Sequence, residues 1–192
     1  GLAGVTIADV ARRAGCGLTV AYYHFPDKRK LLLELVDEWG RAMPVERRAA
    51  FDIRTALEGA PRRAARDYLR RSYEQLRKGP SFFRVILAEA DRDPEVRRRF
   101  QAAQQTITTW LAMMTRLAQQ AGIGRADRDP DAAGYLMHHV MESVLADLVA
   151  QELPEKLRDQ VLEELVEMIC SYLFGDRRDA TAKPRRGTRK NS

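Results

Sequence analysis

The chain has 192 residues, 45% of them hydrophobic, and carries 33 Lys and Arg against 27 Asp and Glu for a formal net charge of +6. That length allows one ordinary domain, or a small domain fused to a modest one, with enough apolar material for a buried core. The longest apolar run, 140–150, is broken by Glu142 and Asp147 and falls short of the roughly 20 residues of a bilayer span, while Cys16 and Cys170 stand at no metal or disulfide spacing, so a membrane protein and a secreted disulfide scaffold are excluded and a reducing cytoplasm is expected.

The charge is unevenly placed. Residues 176–192 hold seven basic side chains (Arg177, Arg178, Lys183, Arg185, Arg186, Arg189, Lys190) against Asp176 and Asp179. The basic pI therefore comes mostly from the tail and says little about nucleic acid. The tail itself reads as a disordered, solvated terminus with too few apolar residues to fold.

Helical spacing recurs from end to end and strand alternation is nearly absent, so an all-α fold is predicted. Thr6 can cap a short helix with Ile7, Val10, Ala11 and Ala14 on one face, and Gly15 stops it. A second short helix fits between Gly17 and Phe25. Pro26 and Asp27 open a longer one that buries Leu31, Leu32, Leu35, Val36 and Trp39 and runs to Pro44. Residues 45–60 read as a linker with some helix. Further helices are predicted from Pro61 to Lys78, with Tyr68, Leu69, Tyr73 and Leu76 on one stripe, and from Phe82 to Ala90 behind Ser81. Asp93-Pro94, Asp129-Pro130 and Pro154 open three long helices, ending near Ala121, Gln151 and Phe174. The predicted organisation is a reader at 1–44, a helical bundle at 45–175 and the basic tail at 176–192.

Two short helices around a glycine-containing turn fit a helix-turn-helix, whose second helix enters the major groove while the first crosses the backbone. An ordinary helical hairpin has the same spacing, so the residues must decide. The run Val5-Thr6-Ile7-Ala8-Asp9-Val10-Ala11-Arg12-Arg13-Ala14-Gly15, followed by Tyr22-Tyr23-His24-Phe25-Pro26-Asp27-Lys28 and Leu31-Leu32, closely resembles the DNA-binding domain of the TetR family of repressors. The rest of the chain resembles that family in layout only.

The resemblance implies a double-stranded DNA operator, a small-molecule inducer and a homodimer as partners. It implies phosphate contacts by Thr6, Tyr22, Tyr23, His24 and Lys28, since hydroxyls, cations and helix N-termini suit phosphate oxygens. It places Leu18, Thr19 and Val20, with Ala8 nearby, against base edges, and Val10, Ala11, Ala14 and Phe25 in a small core. The chain departs from the pattern in three ways. The resemblance implies a further helix before Val5, and a start at Gly1 rather than Met reads as a trimmed N-terminus. Gly17 stands where a capping Ser or Thr is usual. Leu18 and Val20 offer no hydrogen bonds, so base reading rests on Thr19, on thymine methyls and on DNA shape.

The last two helices carry broad apolar stripes, wide enough to serve a domain core and a second subunit together. Met141, Val144, Leu148, Leu165 and Ile169 are the expected dimer contacts. An inducer cavity is expected among apolar and adaptable side chains such as Phe82, Ile86, Phe100, Ile107 and Met113, with Phe83, Trp110, Met114, Met137 and His138 as the candidate ligand contacts. His138 and His139 are adjacent and face different ways.

Glu89, Asp91, Asp93 and Glu95 read as a solvated helix junction. No phosphate-cradling glycine loop, nucleophile elbow or metal-spaced cluster occurs, so neither enzyme, cofactor nor metal is expected. The sequence reading is a ligand-responsive repressor, with a dimeric small-molecule-binding bundle that does not bind DNA as its rival.

Overall fold

Most helices in this chain begin at a residue that can satisfy the first-turn amides, and the backbone follows those signals. The computed structural model describes residues 4–78, 82–151 and 153–175, leaving aside the side chains of 78 and 82–84. The described residues are helical with short connections: α1 (Ile7–Ala14), α2 (Leu18–His24), α3 (Lys28–Ala50), α4 (Ile53–Leu57), α5 (Pro61–Lys78), α6 (Phe82–Ala90), α7 (Pro94–Gln120), α8 (Pro130–Ala150) and α9 (Glu155–Phe174). The basic tail and the Phe83 side chain lie outside the described residues.

Thr6 closes a capping box on α1: its Oγ1 accepts from the Asp9 amide at 3.1 Å, and the Thr6 amide donates to Asp9 Oδ2 at 3.0 Å. Such a cap is worth about 1 kcal/mol. Gly15 ends the helix in the left-handed region, φ 67°, where a Cβ would be strained. Asp27, Asp93 and Asp129 cap α3, α7 and α8 through their carboxylates.

Three clusters form the interior. Ile7, Ala11 and Ala21 make a small one, with Phe25 and Leu31 packed on it. Leu32, Leu33 and Val36 of α3 meet Ile86, Ala90, Val96 and Phe100 of α6 and α7. The main cluster joins α5, α7, α8 and α9 around Leu69, Leu145, Val166 and Cys170. Gly134 lets α8 lie directly on α7: a Cβ there would sit 2.6 Å from the Thr108 carbonyl oxygen and 2.7 Å from the Ala112 amide nitrogen.

Three expectations are corrected. The helix from Asp27 does not stop at Pro44 but continues six residues to Ala50. Pro44, Arg47 and Ala50 are buried there, so tertiary packing offsets the hydrogen bond that proline removes. Leu35 is 42% exposed and Leu33 takes its place inside. In the reader, Ala14 is exposed and Val10 half-buried, leaving Ile7 and Ala11 as that face's buried contributors.

Candidate functional site

α2 is too short to bury much, and it is turned outward. Among its residues only Ala21 is buried. Leu18 is 48% exposed, Val20 52%, Tyr22 48% and Tyr23 84%, with Thr19 and His24 also exposed. Ala8 and Lys28, on the flanking helices, are exposed as well. The predicted DNA contacts on α2 and its flanking helices are thus exposed. Thr6 differs in one respect. Its hydroxyl donates to Asp9 Oδ2 at 2.6 Å and is engaged in the cap. That bond, with the Thr6 amide and Arg12, holds the Asp9 carboxyl below its ordinary range. Gly17 supplies no side-chain cap, so α2 starts on backbone alone.

α3 follows the reader and is clamped to the body. Arg29 grips Asp93 through two bonds, Nε to Oδ2 at 2.6 Å and Nη2 to Oδ1 at 3.1 Å. Arg99 bonds both Asp37 and Glu95. Asp93 also accepts from the Glu95 amide at 2.9 Å, so the carboxylates at this junction brace helices. Trp39 stacks on Phe100 with ring centroids 5.4 Å apart.

A cavity of about 70 Å³ lies where the far end of α3 meets the bundle. Phe51, directly after α3, forms part of its wall with Ile53 and Ala56 of α4, Tyr68 of α5, Trp110 of α7 and Met137 of α8. Phe51 packs edge-on against both Tyr68 and Trp110, each at 5.8 Å between centroids. Trp110, Met114 and Met137 therefore line the cavity as expected. Phe51, Ile53 and Ala56 were hidden in the stretch read as linker. Asp52 was the signal there: it caps α4 by accepting from the Arg54 amide at 3.0 Å. Ile86 and Phe100, weighed for the cavity, belong to the α3 cluster instead, and Met113 is 46% exposed.

His138 is not in the cavity wall. It is 2% exposed, and its Nε2 lies 2.9 Å from Glu142 Oε2, close in distance but poorly aligned for a hydrogen bond. Gln104 Nε2 reaches the same carboxylate oxygen at 3.4 Å, and the buried Arg47 of α3 acts on it through its charge. Burial alone would raise the Glu142 carboxyl; His138, Arg47 and Gln104 outweigh it and hold the group below its ordinary range. A buried polar cluster thus ties α3 to α7 and α8. His139 packs against Tyr135, with ring centroids 4.2 Å apart and the planes tilted by 55°, and its imidazole is lowered by burial and by His138.

Residues 1–35 match the family described as bacterial regulatory proteins, tetR family, and residues 61–173 match the tetracyclin repressor-like C-terminal domain. The chain belongs to the TetR family. No curated protein matches it by sequence. Among solved structures, the SmeT–triclosan complex is 22% identical with a TM-score of 0.68, covering 92% of this chain and 85% of that one. The flavonoid-responsive regulator FrrA is 21% identical with a TM-score of 0.61, covering 92% of this chain and 90% of that one. At such identities these neighbours show the shared fold. Family membership makes the protein a transcriptional regulator with a helix-turn-helix reader, not an enzyme. None of the described helices is long and apolar enough to cross a membrane.

In this TetR-family regulator most of the expected dimer contacts are buried within the chain itself. Met141, Leu148, Leu165 and Ile169 are 4–6% exposed and belong to the core of the single chain, and Val144 is partly buried against them. Met141 and Ile169 line the cavity. The outward apolar side chains of the same two helices are Tyr135 (59%), Leu136 (44%), Leu157 (45%) and Met168 (46%). Each helix carries a broad apolar stripe, part of which packs into the core of the chain and part of which stays exposed.

Proposed function

We propose that this regulator is a repressor, homodimeric on its operator, that is released when a small apolar or amphipathic molecule enters the α3–α9 cavity. The observation that carries the reading is the path of α3. One end follows the exposed α2, and the other delivers Phe51 to the cavity wall. With 23 residues, α3 is roughly 35 Å long at a rise of 1.5 Å per residue. A tilt of about 5° at the cavity end would move the reader end by about 3 Å. Two readers must match half-sites roughly 34–36 Å apart, so a shift of that size in each protomer is enough to spoil the fit. Solved neighbours whose names mention triclosan and flavonoid response support a ligand-operated reading. The exposed Tyr135, Leu136, Leu157 and Met168 support pairing through α8 and α9.

On the DNA side, Thr19 reads a base edge and Lys28, Tyr22 and Tyr23 hold phosphates. The test is a salt titration of binding to a selected operator and to scrambled DNA. Lys28→Ala weakens both about equally and lowers the logarithmic salt slope by about one per protomer. Thr19→Ala leaves the slope alone and relaxes preference at one base pair per half-site, by roughly 1–3 kcal/mol. A wild-type protein that prefers no selected sequence over scrambled DNA would overturn the repressor reading and favour the DNA-free ligand-binding bundle.

A further inference from the structure

The cavity wall is almost wholly apolar. Of its polar side chains, Thr115 is already committed, its Oγ1 donating to the Leu111 carbonyl at 3.0 Å. No acidic or basic side chain lines it. A charged ligand would shed its water there and meet no counter-charge, so an uncharged one is selected. Tyr68 is different. It is 4% exposed, it lines the cavity, and its hydroxyl has no hydrogen-bond partner among the described residues.

Tyr68 does not stand alone. Ser72 Oγ and Gln75 Oε1 are also buried without partners among the described residues. Residues 68, 72 and 75 follow the i, i+4, i+7 spacing and share one face of α5. It is the face on which Pro61, Ala65 and Tyr68 already meet the cavity. Buried polar groups are nearly always paired, so three unpaired ones in a row on a single helix face point to a missing partner. Ser72 and Gln75 lie beyond the present cavity wall and continue its line. The row spans roughly 10 Å at 1.5 Å per residue.

Size points the same way. An engineered apolar cavity that takes up benzene measures about 150 Å³, about twice the 70 Å³ found here. A ligand of two rings must therefore widen the site. Met114, Met137 and Met141 form part of the wall, and methionine side chains adapt most readily.

We propose that the effector is an uncharged, flat aromatic molecule hydroxylated along one edge, a phenol-class ligand whose hydroxyl groups pair with Tyr68, Ser72 and Gln75. A hydroxyl both donates and accepts, so it suits the two hydroxyl side chains and supplies the donor that Gln75 Oε1 lacks. The proposal rests on the reading of this cavity as the effector site. A site built to pair hydroxyls discriminates strongly against analogues that lack them, because its own polar groups then stay buried and unpaired.

The test is calorimetric titration of the full chain at pH 7 with naphthalene, 2-naphthol, 2,7-dihydroxynaphthalene, whose two hydroxyls share one long edge, and 2-naphthoate, paired with operator release. Affinity rises at least tenfold from naphthalene to the dihydroxy compound, and naphthoate does not bind. Tyr68→Phe, which keeps the ring in place, and Ser72→Ala each flatten that preference while naphthalene binds as well as before. The series on the wild-type protein stands independently of how the variants fold. Naphthalene binding as tightly as the dihydroxy compound, or naphthoate binding best, overturns the phenol class and leaves the effector site standing. Binding of no probe, with no effect on operator release, overturns both readings.

Discussion

Replacing Glu142 tests whether the buried polar cluster holds the reader's lever to the bundle. Glu142 is 7% exposed, beside His138 at 2% and with Arg47 at 3% acting on it. Glu142→Leu leaves the Arg47 guanidinium buried with one carboxylate fewer to balance it. Leaving a buried polar group without its partner costs about 1–3 kcal/mol, and more where a charge is involved, a large share of the roughly 5–15 kcal/mol that holds a domain folded. Glu142→Gln keeps an acceptor for Gln104 while removing the charge, and should cost about 1–3 kcal/mol. The pH dependence follows from the depressed carboxyl. In the fold its pKa lies below the ordinary 4.5, so near that pH the unfolded chain binds more protons than the native one. The contribution of Glu142 is complete above pH 4.5 and is lost as pH falls through the lower folded value. Urea unfolding followed by circular dichroism at neutral pH and in acid should show the gap between wild type and Glu142→Gln widest at neutral pH and narrowing below 4.5. Equal stability at neutral pH, or a gap that widens in acid, refutes this account of the cluster.

Three other perturbations follow from the packing. Gly134→Ala drives a Cβ to 2.6 Å from the Thr108 carbonyl oxygen, so α7 and α8 must part; overpacking of this kind costs about 1–3 kcal/mol, read as a lowered Tm. Thr6→Ala removes the capping box from α1 and should cost about 1 kcal/mol, seen as faster amide hydrogen exchange in 7–14 with the exchange of α8 unchanged. Leu136→Glu and Met168→Glu place charges on exposed positions of α8 and α9, so each protomer should stay folded while sedimentation reports monomers; an undisturbed dimer in both variants would move the interface elsewhere.

Capping is local chemistry, and so most helix starts were legible from sequence, though the end of α3 and the short α4 were not. Thr6 and Gly15 bracket α1, and Asp93-Pro94 and Asp129-Pro130 open α7 and α8 where the sequence predicts. The reader was legible for the same reason: its exposed residues lie close together in the chain, on two short helices and a turn. What the sequence did not determine is which side of each long helix faces inward. Leu136 and Met137 are neighbours of equal apolarity, yet one is 44% exposed and the other 6%. A helix that is apolar nearly all round offers no preferred face, and only the arrival of its neighbours picks one. The cavity shows the same limit. Its wall draws Phe51 and Ile53, Tyr68, Trp110, Met137 and Ile169 from five separate stretches of chain, and no spacing within one stretch records that they meet. The cluster of Arg47, Gln104, His138 and Glu142 likewise depended on three helices converging, because charged residues can stay buried only where partners arrive from elsewhere in the fold.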